Sequence, residues 1–162
     1  MIILGIDPGL NKIGYGAVET ENGLRVIKTG VICPPSHFTF EMKLENISRN
    51  FEELIENLKP DVVAIEEIYL GKNVQIALKI GQVMGVIEGL TLNKKIKFSL
   101  ISPREIKKSL TGRGSATKEQ VKFMVENLTG YREFKKIDES DAVAVAISYL
   151  NTEGKDDWIY KR

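Results

Sequence analysis

The sequence predicts an α/β fold in which a five-stranded mixed sheet is flanked by helices. Three short strands come first, separated by the turn signals Pro8-Gly9 and Asn22-Gly23, and form an antiparallel meander. Helices then alternate with two further strands, an order that favours parallel pairing. With 162 residues, 43% of them hydrophobic, the chain can build one core. We expect one domain over residues 1–150 and a polar tail over 151–162.

Hydrophobic periodicity and capping signals define the elements. Apolar residues at helical spacing begin at Phe40 and stop before Pro60. Ser102-Pro103-Arg104-Glu105 and Thr117-Lys118-Glu119-Gln120 have the spacing of capping boxes, each opening a helix. The predicted strands are 2–6, 13–19, 24–32, 62–65 and 97–101; the predicted helices are 40–58, 74–92, one from 103, one from 118, and 138 to about 150.

The predicted helix 74–92 is apolar on nearly every face. Gly81, Gly85 and Gly89 lie four residues apart along one stripe, where another backbone can approach closely. Two interpretations remain open. The helix is either a central core helix or a core helix that also forms a subunit interface.

The charge distribution is uneven although the net charge is only +1. Nine Lys and Arg and two Glu lie between Lys94 and Lys122, so this segment carries +7 and the rest of the chain −6. One basic face on an acidic remainder is typical of a protein that binds a polyanion, because phosphate attraction depends on local potential. The alternative is an ordinary lysine-rich surface.

Several classes of protein are excluded by missing residues. Cys33 is the only cysteine, so neither an intramolecular disulfide nor a cysteine-based zinc cluster is possible. His37 is the only histidine, and its Pro-Pro-Ser-His context predicts a surface turn rather than a nucleophilic triad. No signal peptide or membrane-spanning run is recognisable, so we expect a soluble protein of a reducing compartment.

Two acids stand at the ends of buried strands. Asp7 ends the first strand before Pro8-Gly9, and Glu66 ends the fourth. If these strands pair in parallel, both carboxylates enter one crevice at the carboxyl edge of the sheet. The simpler interpretations are that Asp7 begins a turn and that Glu66 is the first exposed residue after a strand.

Asp138 and Asp141 lie three residues apart at the start of the last helix, where both can face the same way. Helix capping is the simpler interpretation, with Asp138 as the N-cap. If all four acids converge, they must be protonated, paired or bridged by hard cations. Oxygen ligands without His or Cys indicate Mg²⁺ or Mn²⁺, and two such ions can promote phosphodiester hydrolysis.

The loop Gly112-Arg113-Gly114-Ser115 lacks the spacing of a Walker phosphate-binding loop. Its glycines still allow the backbone to approach DNA closely, and Arg113 and Lys118 flank it. The order of elements is compatible with a ribonuclease H-like fold.

Four motifs together resemble the RuvC family of bacterial Holliday-junction resolvases. They follow one another in order over residues 1 to about 150, and their combination is far more specific than any one of them. The motifs are Gly5-Ile6-Asp7-Pro8-Gly9, Ala64-Ile65-Glu66 with Lys72-Asn73, Gly112-x-Gly114-Ser115-Ala116-x-Lys118, and Asp138-x-x-Asp141-Ala142.

The resemblance implies a cytoplasmic bacterial homodimer that nicks four-way DNA junctions symmetrically during recombination and repair. It implies two Mg²⁺ ions per site, with Mn²⁺ as a substitute, a dimer interface on helix 74–92, and partnership with the RuvA–RuvB branch-migration complex. The implied catalytic residues are Asp7, Glu66, Asp138 and Asp141 as metal ligands, with Lys107 and Lys118 near the scissile phosphate. The expected DNA contacts are Tyr69, Lys72, Asn73, Arg104, Lys107, Lys108, Arg113, Ser115 and Lys118.

Two positions depart from the family pattern. Tyr69 stands where phenylalanine is common, and its ring can still stack on a base. Glu67 follows Glu66 where glutamine is common; because strand side chains alternate, we expect only Glu66 in the crevice. Three alternatives stay open: another ribonuclease H-like nuclease, an actin-like phosphotransferase lobe, for which the chain is short, and an inactive junction-binding module.

Overall fold

The computed structural model describes residues 1–68 and 73–152. Its strands are β1 Ile2–Asp7, β2 Ile13–Glu19, β3 Arg25–Ile32, β4 Val62–Glu66 and β5 Lys97–Ile101. Its helices are α1 Phe40–Leu58, α2 Val74–Asn93, α3 Pro103–Thr111, α4 Lys118–Thr129 and α5 Ile137–Thr152. The predicted elements are all present, with bounds that differ by one or two residues.

The five strands form one mixed sheet in the order β3-β2-β1-β4-β5. β1, β2 and β3 pair antiparallel as a meander, whereas β4 pairs parallel to both β1 and β5. β1 therefore lies between an antiparallel and a parallel neighbour. The predicted fold class is confirmed, and the carboxyl ends of β1 and β4 share one edge of the sheet.

Helices cover both faces of the sheet. On one face α1 and α2 enclose a core that contains Phe51, Leu4 and Val63, all 0% exposed. On the other face α3, α4 and α5 pack over Ile3, Val18 and the strands beside them. Because β1 and β4 are covered on both sides, they are apolar at nearly every position rather than at alternate positions, whereas the edge strands β3 and β5 keep polar and charged residues.

Capping fixes the orientation of the two basic helices. In α3 the Ser102 hydroxyl accepts the backbone N–H of Glu105, whose carboxylate accepts the Ser102 N–H in return. In α4, Thr117 and Gln120 form the same reciprocal pair. Both predicted capping boxes are present, so the starts of both helices are set by their local sequence.

α2 is not enclosed as a central core helix within this chain. One stripe of it faces outward: Val74, Leu78 and Leu92 are 60%, 65% and 46% exposed. A Cβ built on any of the three glycines of the same stripe, Gly81, Gly85 and Gly89, would meet nothing within 4 Å. The first interpretation is therefore wrong for the single chain, and the apolar stripe stays open for another partner.

α5 begins one residue before the position expected from the sequence. Because its first residue is Ile137, Asp138 lies inside the first turn and is not the N-cap. The helix continues to Thr152, past the expected domain boundary at residue 150, and the rest of the tail lies outside the described residues. No helix within residues 1–68 and 73–152 is long and apolar enough to cross a membrane.

Candidate active site

Asp7 and Glu66 lie side by side at the carboxyl edge of the sheet. β1 and β4 are in register through the pair Ile6 and Ile65, so the next residue on each strand is one of the two acids. Adjacent strands lie about 4.8 Å apart. Both acids are partly buried, whereas Glu67 is exposed. Of the two consecutive glutamates, Glu66 therefore belongs to the crevice.

Three glycines of β1 and β2 allow the start of α5 to pack directly against the backbone of these strands. A Cβ on Gly14 would lie 2.2 Å from the carbonyl oxygen of Asp138, and one on Gly5 would lie 1.9 Å from that of Ala142. A Cβ on Gly16 would meet a side-chain methyl of Val143 at 2.4 Å. Because no side chain separates helix from sheet here, the first turns of α5 lie beside the end of β1.

The four carboxylates share one electrostatic environment. Burial raises the pKa of Asp7 from 3.8 to about 6, with further increases from Asp141 and Asp138, while Lys118 lowers it. The pKa of Glu66 is raised from 4.5 to about 7. Burial is the largest cause, and the negative charges of Asp7 and Asp141 are the next largest. A hydrogen bond between the two strand-end side chains offsets part of the increase at Asp7. Crowded carboxylates of this kind favour a proton or a cation.

Lys118 supplies one cation to the cluster. Its ammonium donates to Asp141 Oδ2 at 2.8 Å, and this hydrogen bond raises the pKa of Lys118. The side chain of Asp141 is only 10% exposed and that of Lys118 is 67% exposed. Across residues 1–68 and 73–152, no three Asp, Glu, His or Cys side chains are arranged closely enough to hold a metal ion. The acids thus converge electrostatically, with Lys118 bonded to one of them.

A small cavity opens where the cluster meets α3 and α4. Its volume is about 50 Å³, and its polar lining consists of Glu66, Asp141, Lys107 and Lys118. Lys107 is close enough to lower the pKa of Glu66. The volume is sufficient for water beside the carboxylates. The four acids all offer carboxylate oxygens, and the pKa values of Asp7 and Glu66 are raised, so the set fits a hard divalent cation by its chemistry, provided that Lys118 releases Asp141.

Four further residues predicted to contact DNA, three of them basic, lie on the surface of α3 and the loop after it. Arg104, Lys108, Arg113 and Ser115 are all exposed. Gly112 ends α3 in the left-handed conformation at φ 74°, so it also has a purely structural role. A Cβ on Gly114 would lie 2.7 Å from Cγ of Arg104, so the loop packs closely against α3.

Three predicted DNA contacts, Tyr69, Lys72 and Asn73, precede α2 in the sequence, and the structure describes one of them. Asn73 is the N-cap of the helix, and its Oδ1 accepts the backbone N–H of Ile76 at 3.1 Å. The capping bond uses only the side-chain oxygen and leaves the amide NH₂ group as a donor, so capping and DNA contact are compatible. Tyr69 and Lys72 lie outside the described residues.

Sequence reasoning missed Glu139, which lies between the two aspartates of α5. It is 6% exposed and accepts hydrogen bonds from the backbone N–H of Lys135 at 3.0 Å and the Thr29 hydroxyl at 3.4 Å. Thr29 belongs to β3 and is 110 positions away, so no local pattern indicates this contact. The close approach of α5 did have a signal, because Gly14 and Gly16 point to the same face of β2.

The chain is similar to known proteins over nearly its whole length. A family model described as crossover junction endodeoxyribonuclease RuvC matches residues 3–149. The RuvC of Chlorobium phaeobacteroides is 42% identical over 154 residues, covering 93% of this chain and 81% of the relative. That of Citrifermentans bemidjiense is 38% identical over 155 residues, covering 95% and 94%.

Solved structures agree with the sequence relatives. Thermus thermophilus RuvC superimposes with a TM-score of 0.87 at 25% identity, covering 95% of this chain and 96% of the other. The same protein in complex with a Holliday junction substrate gives 0.88, also at 25% identity, covering 94% of each chain. The resemblance found in the motifs is confirmed along nearly the whole chain, which therefore belongs to the RuvC family of crossover junction endodeoxyribonucleases.

Proposed function

We propose that this chain is a structure-selective endonuclease that nicks four-way DNA junctions at symmetric points by phosphodiester hydrolysis, in recombination and repair. The observation that carries the proposal is the convergence of four carboxylates beside Lys107 and Lys118 in a member of this family. A crevice that combines acidic metal donors with cations for a phosphate supports hydrolysis of a nucleic-acid backbone.

The RuvC family implies dependence on a divalent metal, and Asp7, Glu66, Asp138 and Asp141 are the residues that would hold it here. We expect two Mg²⁺ ions per site, with Mn²⁺ able to replace them, because all four donors are carboxylate oxygens. Bound ions would supply Lewis acidity to the scissile phosphate and to the attacking water.

The chain's own cations orient the phosphate. Lys118 is exposed enough to leave Asp141 and contact an incoming phosphate, and this exchange frees the Asp141 carboxylate. Lys107 lies across the cavity beside Glu66, where it can contact the same phosphate group. Arg104, Lys108, Arg113 and Ser115 extend this surface along the DNA backbone.

A dimer would place two such sites on one junction. The stripe of α2 that contains Leu78, Gly85 and Leu92 is apolar, exposed and free of side-chain bulk at its glycines, which supports packing against the same stripe of a second copy. Two sites related by a twofold axis account for paired nicks. We place the enzyme in the bacterial cytoplasm, with RuvA–RuvB as its family-implied partner.

The decisive experiment incubates the pure chain with a synthetic four-way junction, with and without Mg²⁺, and maps the nicks. A linear duplex and an RNA–DNA hybrid of the same sequence serve as alternative substrates. We expect Mg²⁺-dependent symmetric nicks in the junction alone, loss of nicking with retained binding in Glu66→Gln, and full activity in Glu67→Gln. Preferential cleavage of the hybrid would instead indicate a different ribonuclease H-like nuclease, and binding without any nicking would indicate an inactive junction-binding module.

A further inference from the structure

A second basic surface lies on the other side of the carboxylates from Lys107 and Lys118. It is the turn between α4 and α5, residues 130–136, which leads directly into the helix that contains Asp138. Arg132, Lys135 and Lys136 are exposed there, against a single exposed acid, Glu133. The turn therefore presents a net charge of +2 to solvent beside the crevice, and we name it the α4–α5 turn.

The α4–α5 turn has a defined conformation. The rings of Tyr131 and Phe134 meet edge to face with centroids 4.8 Å apart, and Phe134 packs against the core. The buried carboxylate of Glu139 accepts the backbone N–H of Lys135, and the backbone N–H of Glu139 donates to the Lys136 carbonyl at 3.2 Å. These main-chain bonds hold the backbone of the turn in place while its charged side chains stay exposed. Less conformational entropy of the backbone is therefore lost when a ligand binds.

The three cations of the α4–α5 turn are available to an anionic ligand. Within residues 1–68 and 73–152, no salt bridge joins Arg132, Lys135 or Lys136 to an acid. Arg104, Lys108 and Arg113 of the α3 surface likewise have no salt bridge within the described residues, whereas Lys118 is bonded to Asp141 and Lys94 to two glutamates of α1. Cations of this kind beside a nuclease crevice attract phosphates at low cost, because no existing ion pair must be broken.

The α4–α5 turn and the basic residues of α3 lie at different strands of the sheet. Asp138 packs on Gly14 of β2, and Glu139 reaches Thr29 of β3, so the turn lies on the β2–β3 side. Lys107 lines the cavity with Glu66 of β4, and its helix follows β5. A DNA strand crossing the carboxylates would therefore meet cations on both sides.

We propose that Arg132, Lys135 and Lys136 form a second phosphate-binding surface, which holds the DNA backbone on the β2–β3 side of the carboxylates. This inference rests on the proposed function, because it takes the crevice as the place where DNA is cut. The contacts would be to phosphates and so independent of base sequence. They would fix the direction in which the scissile strand crosses the four acids.

The test compares two triple variants that remove the same charge. R132Q/K135Q/K136Q removes the surface while keeping the main-chain bonds to Glu139. K28Q/R49Q/K59Q is the control: Arg49 and Lys59 lie on and at the end of α1, and Lys28 lines the groove against it, on the other face of the sheet. Junction binding is measured in EDTA between about 50 and 200 mM salt.

We expect the first variant to bind the junction at least about tenfold more weakly at low salt, with a logarithmic salt slope smaller by about 2 to 3. The control should keep the wild-type slope. Equal slopes in the wild type and both variants would overturn the inference while leaving junction cleavage by the wild type intact. A wild type that neither binds nor cuts the junction would remove the proposed function and the inference together.

Lysine protection gives a measurement that needs no variant. The wild-type chain is acylated with and without junction DNA, and the modified lysines are identified by mass spectrometry. We expect DNA to protect Lys135 and Lys136 and to leave Lys28 and Lys59 reactive. Equal reactivity of all four lysines with and without bound junction would refute the second surface even if the variants failed to fold.

Discussion

Replacing Glu66 by glutamine should make the protein more stable while it abolishes cleavage. Burial and the charges of Asp7 and Asp141 raise the pKa of Glu66 to about 7 from 4.5. Each pH unit between the folded and unfolded pKa values corresponds to about 1.4 kcal/mol. Ionised Glu66 therefore costs the folded state up to about 3 kcal/mol above neutral pH. A neutral amide of nearly the same shape removes that cost.

The sign of the pH dependence follows from the raised pKa. Between the unfolded value of 4.5 and the folded value of about 7, the folded state binds more protons than the unfolded chain. The free energy of unfolding of the wild type therefore falls as the pH rises through this window. At about pH 4, where Glu66 is largely protonated in both states, the wild type and Glu66→Gln should have similar stability.

Thermal and denaturant unfolding in EDTA at about pH 4 and about pH 8 measure the effect. At the higher pH we expect Glu66→Gln to gain about 1 to 3 kcal/mol, a rise in Tm of about 2 to 4 °C per kcal/mol. Excess Mg²⁺ should then stabilise the wild type more than the variant. Glu67→Gln is the matched control, because it removes the same charge one residue away at an exposed position.

Three results would refute this reasoning. If Glu66→Gln were no more stable than the wild type at the higher pH, the crowded carboxylate would not be costly. If Glu67→Gln gained as much, the effect would come from net charge rather than from the crevice. A variant that gained stability and still cut the junction would separate Glu66 from catalysis.

Three further predictions concern DNA binding, helix placement and self-association. The triple variant K107Q/R113Q/K118Q should bind the junction with a salt slope lower by about 3; an unchanged slope would remove this segment from the DNA surface. Gly14→Ala should lose about 1 to 3 kcal/mol of stability and most of its cleavage activity, because the new methyl group would overlap the backbone of α5; wild-type melting and cleavage would contradict this. Leu78→Glu should sediment as a monomer where the wild type sediments as a dimer, and an unchanged dimer would exclude the α2 stripe as the interface.

The elements could be predicted because their signals are local. α1 illustrates this: Thr39 caps it by accepting the N–H of Met42, apolar residues recur along one face, and Pro60 follows its end. The exact ends of the helices were harder to predict, since one or two hydrogen bonds decide which residue is the first or the last. A difference of one residue explains the error at Asp138. It was predicted as the N-cap, but it lies in the first turn of α5 because the helix starts at Ile137.

The positions of Asp7 and Glu66 could also be predicted, because strand order determines them. Both acids follow apolar strands, and only parallel pairing of β1 with β4 was needed to bring them together.

The exposure of α2 was harder to predict from its composition. A helix that is apolar all round is buried against something, and the sequence does not say whether that partner is the same chain or another copy.

The side-chain contacts that complete the site were beyond the reach of sequence patterns. The bond from Lys118 to Asp141 spans 23 positions and depends on how α4 lies against α5. The buried Glu139 depends on a contact with β3 and on the conformation of the α4–α5 turn. Both arise because α5 lies directly on glycines of β1 and β2, which fixes every side chain of its first turns relative to the sheet. The sequence therefore identifies the acids. How closely α5 packs against the sheet determines which cations contact them.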